Sequence, residues 1–165
     1  MLIEMKISGL TIDPFTNMPI VILKDFEEKN AVPIWIGILE ASAIATEMEN
    51  IKLSRPMTHD LMKTILEKME AVVEKIVVRD LKDNTFFAHI YLNVGGEEHV
   101  IDARPSDSLA LALRTGASIW VDEKVVEKSK KIDLQKGDKK EKVDKEKLLD
   151  LLEDMEDKDF GKYKM

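Results

Sequence analysis

The apolar residues of this chain change period along its length, and that change limits the fold more than any other feature. Residues 2–12 alternate in strand fashion, with Ile3, Met5 and Ile7 on one face. Short runs rich in β-branched residues follow at 18–24 and 31–36, where Pro33 suits an edge strand or a strand start. From Ile38 to Asn50 the spacing switches to three and four residues, with Ala41, Ile44, Ala45 and Met48 on one helical face. A second helix is expected from about Thr58, with Leu61, Met62, Ile65, Leu66 and Met69 as one apolar stripe. Strand spacing returns at 72–79, 85–94 and 97–103, punctuated by turns at Asp83-Asn84 and Gly95-Gly96. A third helix is expected over SDSLALALRT, ended by Gly116, and then a short strand at 119–121. Strands mixed with segregated helices predict an α+β fold: a mixed, largely antiparallel sheet with about three packed helices, plus a C-terminal helical tail.

The composition breaks near Glu123. The segment from Glu123 to Met165 holds 13 Lys and 13 Asp plus Glu, so the net charge of −7 lies in residues 1–122. We therefore expect a domain over 1–127 and a charged tail over 128–165, whose Leu148, Leu151, Leu152 and Met155 share one helical face. An acidic body does not attract nucleic acid globally, so a polyanion partner requires a local basic site or bound cations. The chain has no cysteine, which removes thiolate zinc sites, thiol nucleophiles and disulfides from consideration. No apolar run reaches the roughly 18–20 residues of a membrane span, and Met1 leads directly into a strand pattern. The expectation is a cytoplasmic protein with no membrane contact. Abundant Lys and Glu beside a single Gln, Gln135, resemble the composition of proteins from hot environments.

Polar residues gather at two helix starts. Arg55, Thr58, His59 and Asp60 form one group; Asp102, Arg104, Ser106 and Asp107 form the other. Both read Arg-Pro, then polar residues, an acid and Leu. Helix N-termini offer free N–H groups to phosphate oxygens, and Arg adds a planar fork for the same atoms. On this basis Arg55, Thr58, Arg104 and Ser106 are candidate substrate-binding residues. His59, Asp60, Asp102 and Asp107 are candidate catalytic residues. Asp102, Asp107 and Glu40 are candidate oxygen ligands for Mg²⁺ or Mn²⁺. The plainer alternative stays open: Thr58, Asp60, Ser106 and Asp107 stand where helix capping puts them, and the arginines can pair with nearby acids. His89 shares a strand face with Phe87 and Tyr91, and His99 sits by a hairpin. No P-loop, dinucleotide-binding glycine pattern, His-Glu-x-x-His or nucleophile elbow occurs.

Four separated segments, PIWIGILEASAIA, RPMTHDL, TFFA and IDARPSDSLAL, occur in an order and spacing that resemble the bifunctional nuclease domain family. The resemblance covers about residues 1–127. It implies an α+β domain, homo-oligomers (a dimer favoured) and cleavage of both RNA and DNA, the activity described for plant members. It places Glu40, Arg55, Pro56, Thr58, His59, Asp60, Asp102, Arg104, Pro105, Ser106 and Asp107 on the family's characteristic polar positions. Asn50 and Asn84 stand where the family commonly has Gly, and Ser118 where it commonly has Pro.

Three readings follow. The first is a nuclease hydrolysing phosphodiester bonds of RNA and DNA with a divalent metal. The second is a non-enzymatic binding or regulatory module acting through an oligomer or the C-terminal helix. The third is a small anion-binding protein using the same helix ends. A joint site requires that the two helix starts meet in space.

Overall fold

The computed structural model describes residues 1–133. The apolar face expected at Leu148, Leu151, Leu152 and Met155 lies outside the described residues. Seven strands form one sheet: β1 (Leu2–Ile12), β2 (Pro19–Asp25), β3 (Ala31–Trp35), β4 (Ala71–Lys82), β5 (Thr85–Val94), β6 (Glu97–Ala103) and β7 (Ser118–Asp122). Their order is β3-β2-β1-β7-β4-β5-β6. Only the β4–β7 pairing is parallel; every other neighbouring pair is antiparallel. Four helices accompany the sheet: α1 (Ile38–Met48), α2 (Thr58–Lys68), α3 (Pro105–Thr115) and α4 (Glu123–Asp133). The expected α+β architecture with a mixed, largely antiparallel sheet is what the chain adopts.

Period-two burial in the strands builds the core. Met5, Leu23, Val21, Ile76, Val78, Ile90 and Val121 point inward to meet Ile44 of α1 and Leu109 and Leu111 of α3. Helix α3 is buried on most of its surface and packs against α1, α2, β4 and β5, so it is the central helix. Two turns depend on left-handed backbone. Asp83 (φ 49°) and Asn84 (φ 59°) close the β4–β5 hairpin, and Asn50 (φ 53°) follows α1. Asn and Asp tolerate this region better than other non-glycine residues, which explains how Asn50 and Asn84 replace glycine without loss of the turn.

Four local expectations are corrected. Thr58 does not cap α2, because the helix already includes it and Met57 holds the capping position. Neither Ser106 nor Asp107 caps α3; Arg104 occupies that position and Pro105 opens the helix. The expected cap lay one place too late at α2 and at least two places too late at α3, where Pro105 takes the first helical position. The α2 stripe is also split. Met62 and Leu66 pack on the core, whereas Leu61, Ile65 and Met69 remain exposed. Finally, α4 is a fourth packed helix. Its Val125, Val126 and Ser129 are buried, and Lys128 reaches Asp80 Oδ1 at 2.9 Å. Two adjacent valines among Lys and Glu carry too little periodicity to announce such a helix.

Candidate active site at two helix starts

The two Arg-Pro helix starts meet. His59, at the second position of α2, places Nε2 2.9 Å from Asp107 Oδ1 in the first turn of α3, across 48 residues of sequence. Arg104 then joins the pair to α1. Its Nε and one terminal nitrogen donate to Asp107 at 2.8 and 3.2 Å, and the other terminal nitrogen donates to Glu40 Oε1 at 2.8 Å. The result is a continuous chain, His59–Asp107–Arg104–Glu40, drawn from three helices.

Electrostatics within the chain follow from these contacts. Burial opposes ionisation of Asp107, but hydrogen bonds from Arg104 and His59 outweigh it and hold the carboxyl below its usual range. Arg104 is raised above its ordinary value by its hydrogen bonds to Asp107 and Glu40. Its side chain is nevertheless 64% exposed. A guanidinium has five N–H donors. Three are engaged here, which leaves one on each terminal nitrogen for an external acceptor.

An open cleft of about 240 Å³ lies beside Arg104. The end of β3 and the start of α1 (Ile34 to Gly37, with Glu40) form one wall, the β4–β5 turn (Asn84 to Phe86) a second, and Arg104 to Ser106 the third. Gly37 leaves room for the Glu40 carboxylate: a Cβ there would fall 2.1 Å from Oε2 of Glu40 and displace it. Glycine thus lets the Glu40 carboxylate fold back over the start of α1 toward Arg104.

Other predicted site residues have different surroundings. Asp60 Oδ1 accepts from Arg114 Nε at 2.7 Å and Oδ2 from the Met57 N–H at 2.9 Å. Burial opposes its ionisation, yet the Met57 N–H and Arg114 together hold it below its usual range. Arg114 also donates to the Ala110 carbonyl, and its side chain is only 4% exposed. Asp60 therefore joins the start of α2 to the end of α3. Arg55 and Thr58 are exposed, and Arg55 has no ion pair with a described residue. Asp102 lies on edge strand β6 with its side chain 81% exposed, and its Oδ1 is 4.0 Å from His89 Nε2. It is outside the His59–Asp107–Arg104–Glu40 chain.

The donor set does not fit a divalent ion in this arrangement. No three His, Asp or Glu side chains converge among the described residues. The Arg104 guanidinium stands between Glu40 and Asp107, and Asp102 is elsewhere. Sequence reasoning also missed Gly37 and Phe86 as cleft residues. A glycine three residues before an acid at a helix start was the available signal for the first.

Comparison with known proteins gives the family. The sequence profile of the bifunctional nuclease domain matches residues 21–133. An uncharacterised protein of Mycobacterium tuberculosis is 34% identical over 123 residues, covering 74% of this chain and 73% of that protein. Bifunctional nuclease 1 of Oryza sativa subsp. japonica is 26% identical over 97 residues, and bifunctional nuclease 2 of Arabidopsis thaliana 27% over 93. The matched regions span only 29% and 28% of those plant proteins. With most of its length matched by the profile, the chain belongs to the bifunctional nuclease domain family.

Proposed function

We propose that this protein hydrolyses phosphodiester bonds of RNA and DNA at the cleft beside Arg104. The observation that carries the reading is the His59–Asp107–Arg104–Glu40 chain drawn from three helices, of which Arg104 and Glu40 line one open cleft. Plant relatives that carry the name bifunctional nuclease support the choice of substrate.

Each residue has a distinct part in this reading. The two unengaged N–H groups of Arg104 bind oxygens of the scissile phosphate and stabilise the charge that develops on them. Asp107 holds the guanidinium through two of its donors, and His59 holds Asp107 from the other side. Both are positioning residues. Glu40 lines the cleft and takes a proton from the attacking water. The water oxygen bonds to phosphorus, the ester P–O bond breaks, and the departing alkoxide is protonated by solvent. No helix among the described residues is long and apolar enough to cross a membrane.

Purified protein assayed on single-stranded DNA and RNA tests the reading. Wild type is expected to cut both, and Arg104→Ala and Glu40→Gln to lose cutting while keeping the wild-type melting temperature. Parallel reactions with Mg²⁺, Mn²⁺ or EDTA test whether cutting needs an added metal. Cutting that persists equally in the variants would trace to a contaminant and end the proposal. A second reading has one observation in its favour: Arg104 is satisfied within the protein by two carboxylates. Such a clamp also suits a non-enzymatic binding module, and well-folded wild type that cuts nothing would select it.

A further inference from the structure

The first turn of α3 keeps hydrogen-bonding capacity that its own fold does not use. Pro105 has no N–H, and the Ser108 N–H returns to the Arg104 carbonyl at 3.1 Å. The N–H groups of Ser106 and Asp107 precede that bond, and no side chain caps the helix. Asp107, the acid placed to cap it, is occupied by Arg104 and His59. Ser106 adds a second, independent observation. It is only 6% exposed, and its hydroxyl has no partner among the described residues. Every fully enclosed side-chain nitrogen or oxygen among those residues does have a partner. The Ser106 hydroxyl must therefore keep some open surface, and the space beside it is the cleft that Ser106 lines.

The side of the cleft lined by Arg104, Pro105 and Ser106 is thus also the start of α3, where these donors lie. The remaining walls are of another kind: Ile34, Trp35, Ile36, Phe86 and Pro105 are apolar or aromatic, and Asn84 and Thr85 sit at the rim. Apolar walls with a few convergent polar groups are the usual make-up of a small-ligand site. At about 240 Å³ the cleft is below the roughly 300–1,000 Å³ of drug-sized pockets, so it admits one small unit. Aromatic walls accept any base by its π-face.

We propose that this cleft is a subsite for one unpaired nucleotide unit, with a phosphate oxygen on the Ser106 hydroxyl and the first-turn N–H groups of α3, and the base against Trp35 and Phe86. The inference rests on the nuclease reading for the source of the ligand and extends it by naming what the cleft holds. A base within a duplex must leave its stack to enter, whereas an unpaired base is free to do so. Charge narrows the ligand further. Arg104 contributes one positive charge against the carboxylates of Glu40 and Asp107, so the singly charged phosphate of a diester is better tolerated than the dianion of a free monophosphate.

Direct binding tests this apart from turnover. The chain has two tryptophans, so Trp120→Phe leaves Trp35 as the sole indole reporter. The full-length variant is titrated, at times short against turnover, with a dinucleotide (ApA), AMP, adenosine, inorganic phosphate and a blunt DNA duplex. The expected result is saturable Trp35 quenching that is strongest with ApA, weaker with AMP and absent with the duplex. Ser106→Ala is expected to weaken ApA binding about fivefold to tenfold, the effect of one lost hydrogen bond. Its melting temperature serves as the check on folding. Silence of Trp35 toward every ligand overturns the subsite, as does equal response to phosphate alone or affinity unchanged by Ser106→Ala. Cleavage that persists while Trp35 is silent overturns the subsite and leaves the nuclease reading standing. Saturable ApA binding without cleavage does the reverse.

Discussion

Arg55-Pro56 and Arg104-Pro105 open two helices with the same succession of residue types, yet the fold gives the two starts different tasks. At α2, Arg55 extends into solvent and the acid Asp60 turns inward to Arg114. At α3, Arg104 turns onto its own acid, Asp107, and onto Glu40 of α1 beside the cleft. One start ties two helices together and lends His59 to the other. The second presents a guanidinium with donors to spare. Similar sequence does not fix even the helix entry, since Met57 caps α2 and Arg104 caps α3, and the element packed opposite decides what the polar side chains do.

This contrast can be broken at several points, the strongest first. Arg104→Ala is expected to lower cleavage at least about 100-fold, as removal of a charge-stabilising donor does in other enzymes. Arg104→Lys is expected to restore little, since an ammonium cannot bridge Asp107 and Glu40 as the planar fork does. Arg55→Ala and Asp102→Asn are expected to stay within about threefold of wild type, because neither residue touches the chain of paired side chains; surface changes of this kind also shift stability by only about 0.5 kcal/mol. Rate measurements on the purified variants decide both points.

The next effect is on stability. Asp60→Ala leaves the Arg114 guanidinium buried without its carboxylate. Losing one partner of a fully buried pair costs about 3–5 kcal/mol; Asp60 is partly exposed, so we expect about 2–3 kcal/mol by denaturant unfolding. Gly37→Ala should act the other way round, with little change in stability. The new methyl displaces the Glu40 carboxylate from Arg104, and a misplaced group of this kind is expected to cost about tenfold in rate. The smallest effect is on acid stability. Asp60 and Asp107 both sit below their ordinary value of 3.8 in the folded protein. The unfolded chain then binds more protons than the folded one as pH falls, so their contribution is complete above about pH 5 and is lost on acidification through the lowered folded values. Melting temperature against pH should be flat above that point and fall below it, and the acid limb should be shallower in Asp60→Asn.

Most of the architecture was legible because strands and helices write their periods directly into the sequence. Ile3, Met5 and Ile7, or Ala41, Ile44 and Ala45, needed no tertiary knowledge. The α2 stripe was misread because adjacent rows of a helix look equally apolar on paper; only packing against α3 determines that Met62 and Leu66 turn inward and Leu61 and Ile65 do not. Helix α4 was missed because its inward face rests on Val125, Val126 and Ser129 alone. Glu40, His59, Arg104 and Asp107 were picked out as candidates by type and position. Their connection was not legible, since a contact across 48 residues depends on how α2 meets α3. Asp102 shows the converse: it neighbours Arg104 in sequence, but the end of an edge strand leaves it in solvent. Ser106 was read as a helix cap and instead lies buried two positions past the cap, where it lines the cleft.

The most direct test of the division between the two helix starts is cleavage of single-stranded RNA and DNA by wild type, Arg104→Ala and Arg55→Ala, prepared side by side. Loss of cutting in Arg104→Ala with near wild-type cutting in Arg55→Ala is the predicted result. Equal cutting by all three, or loss in Arg55→Ala alone, would contradict the assignment of the site to the start of α3.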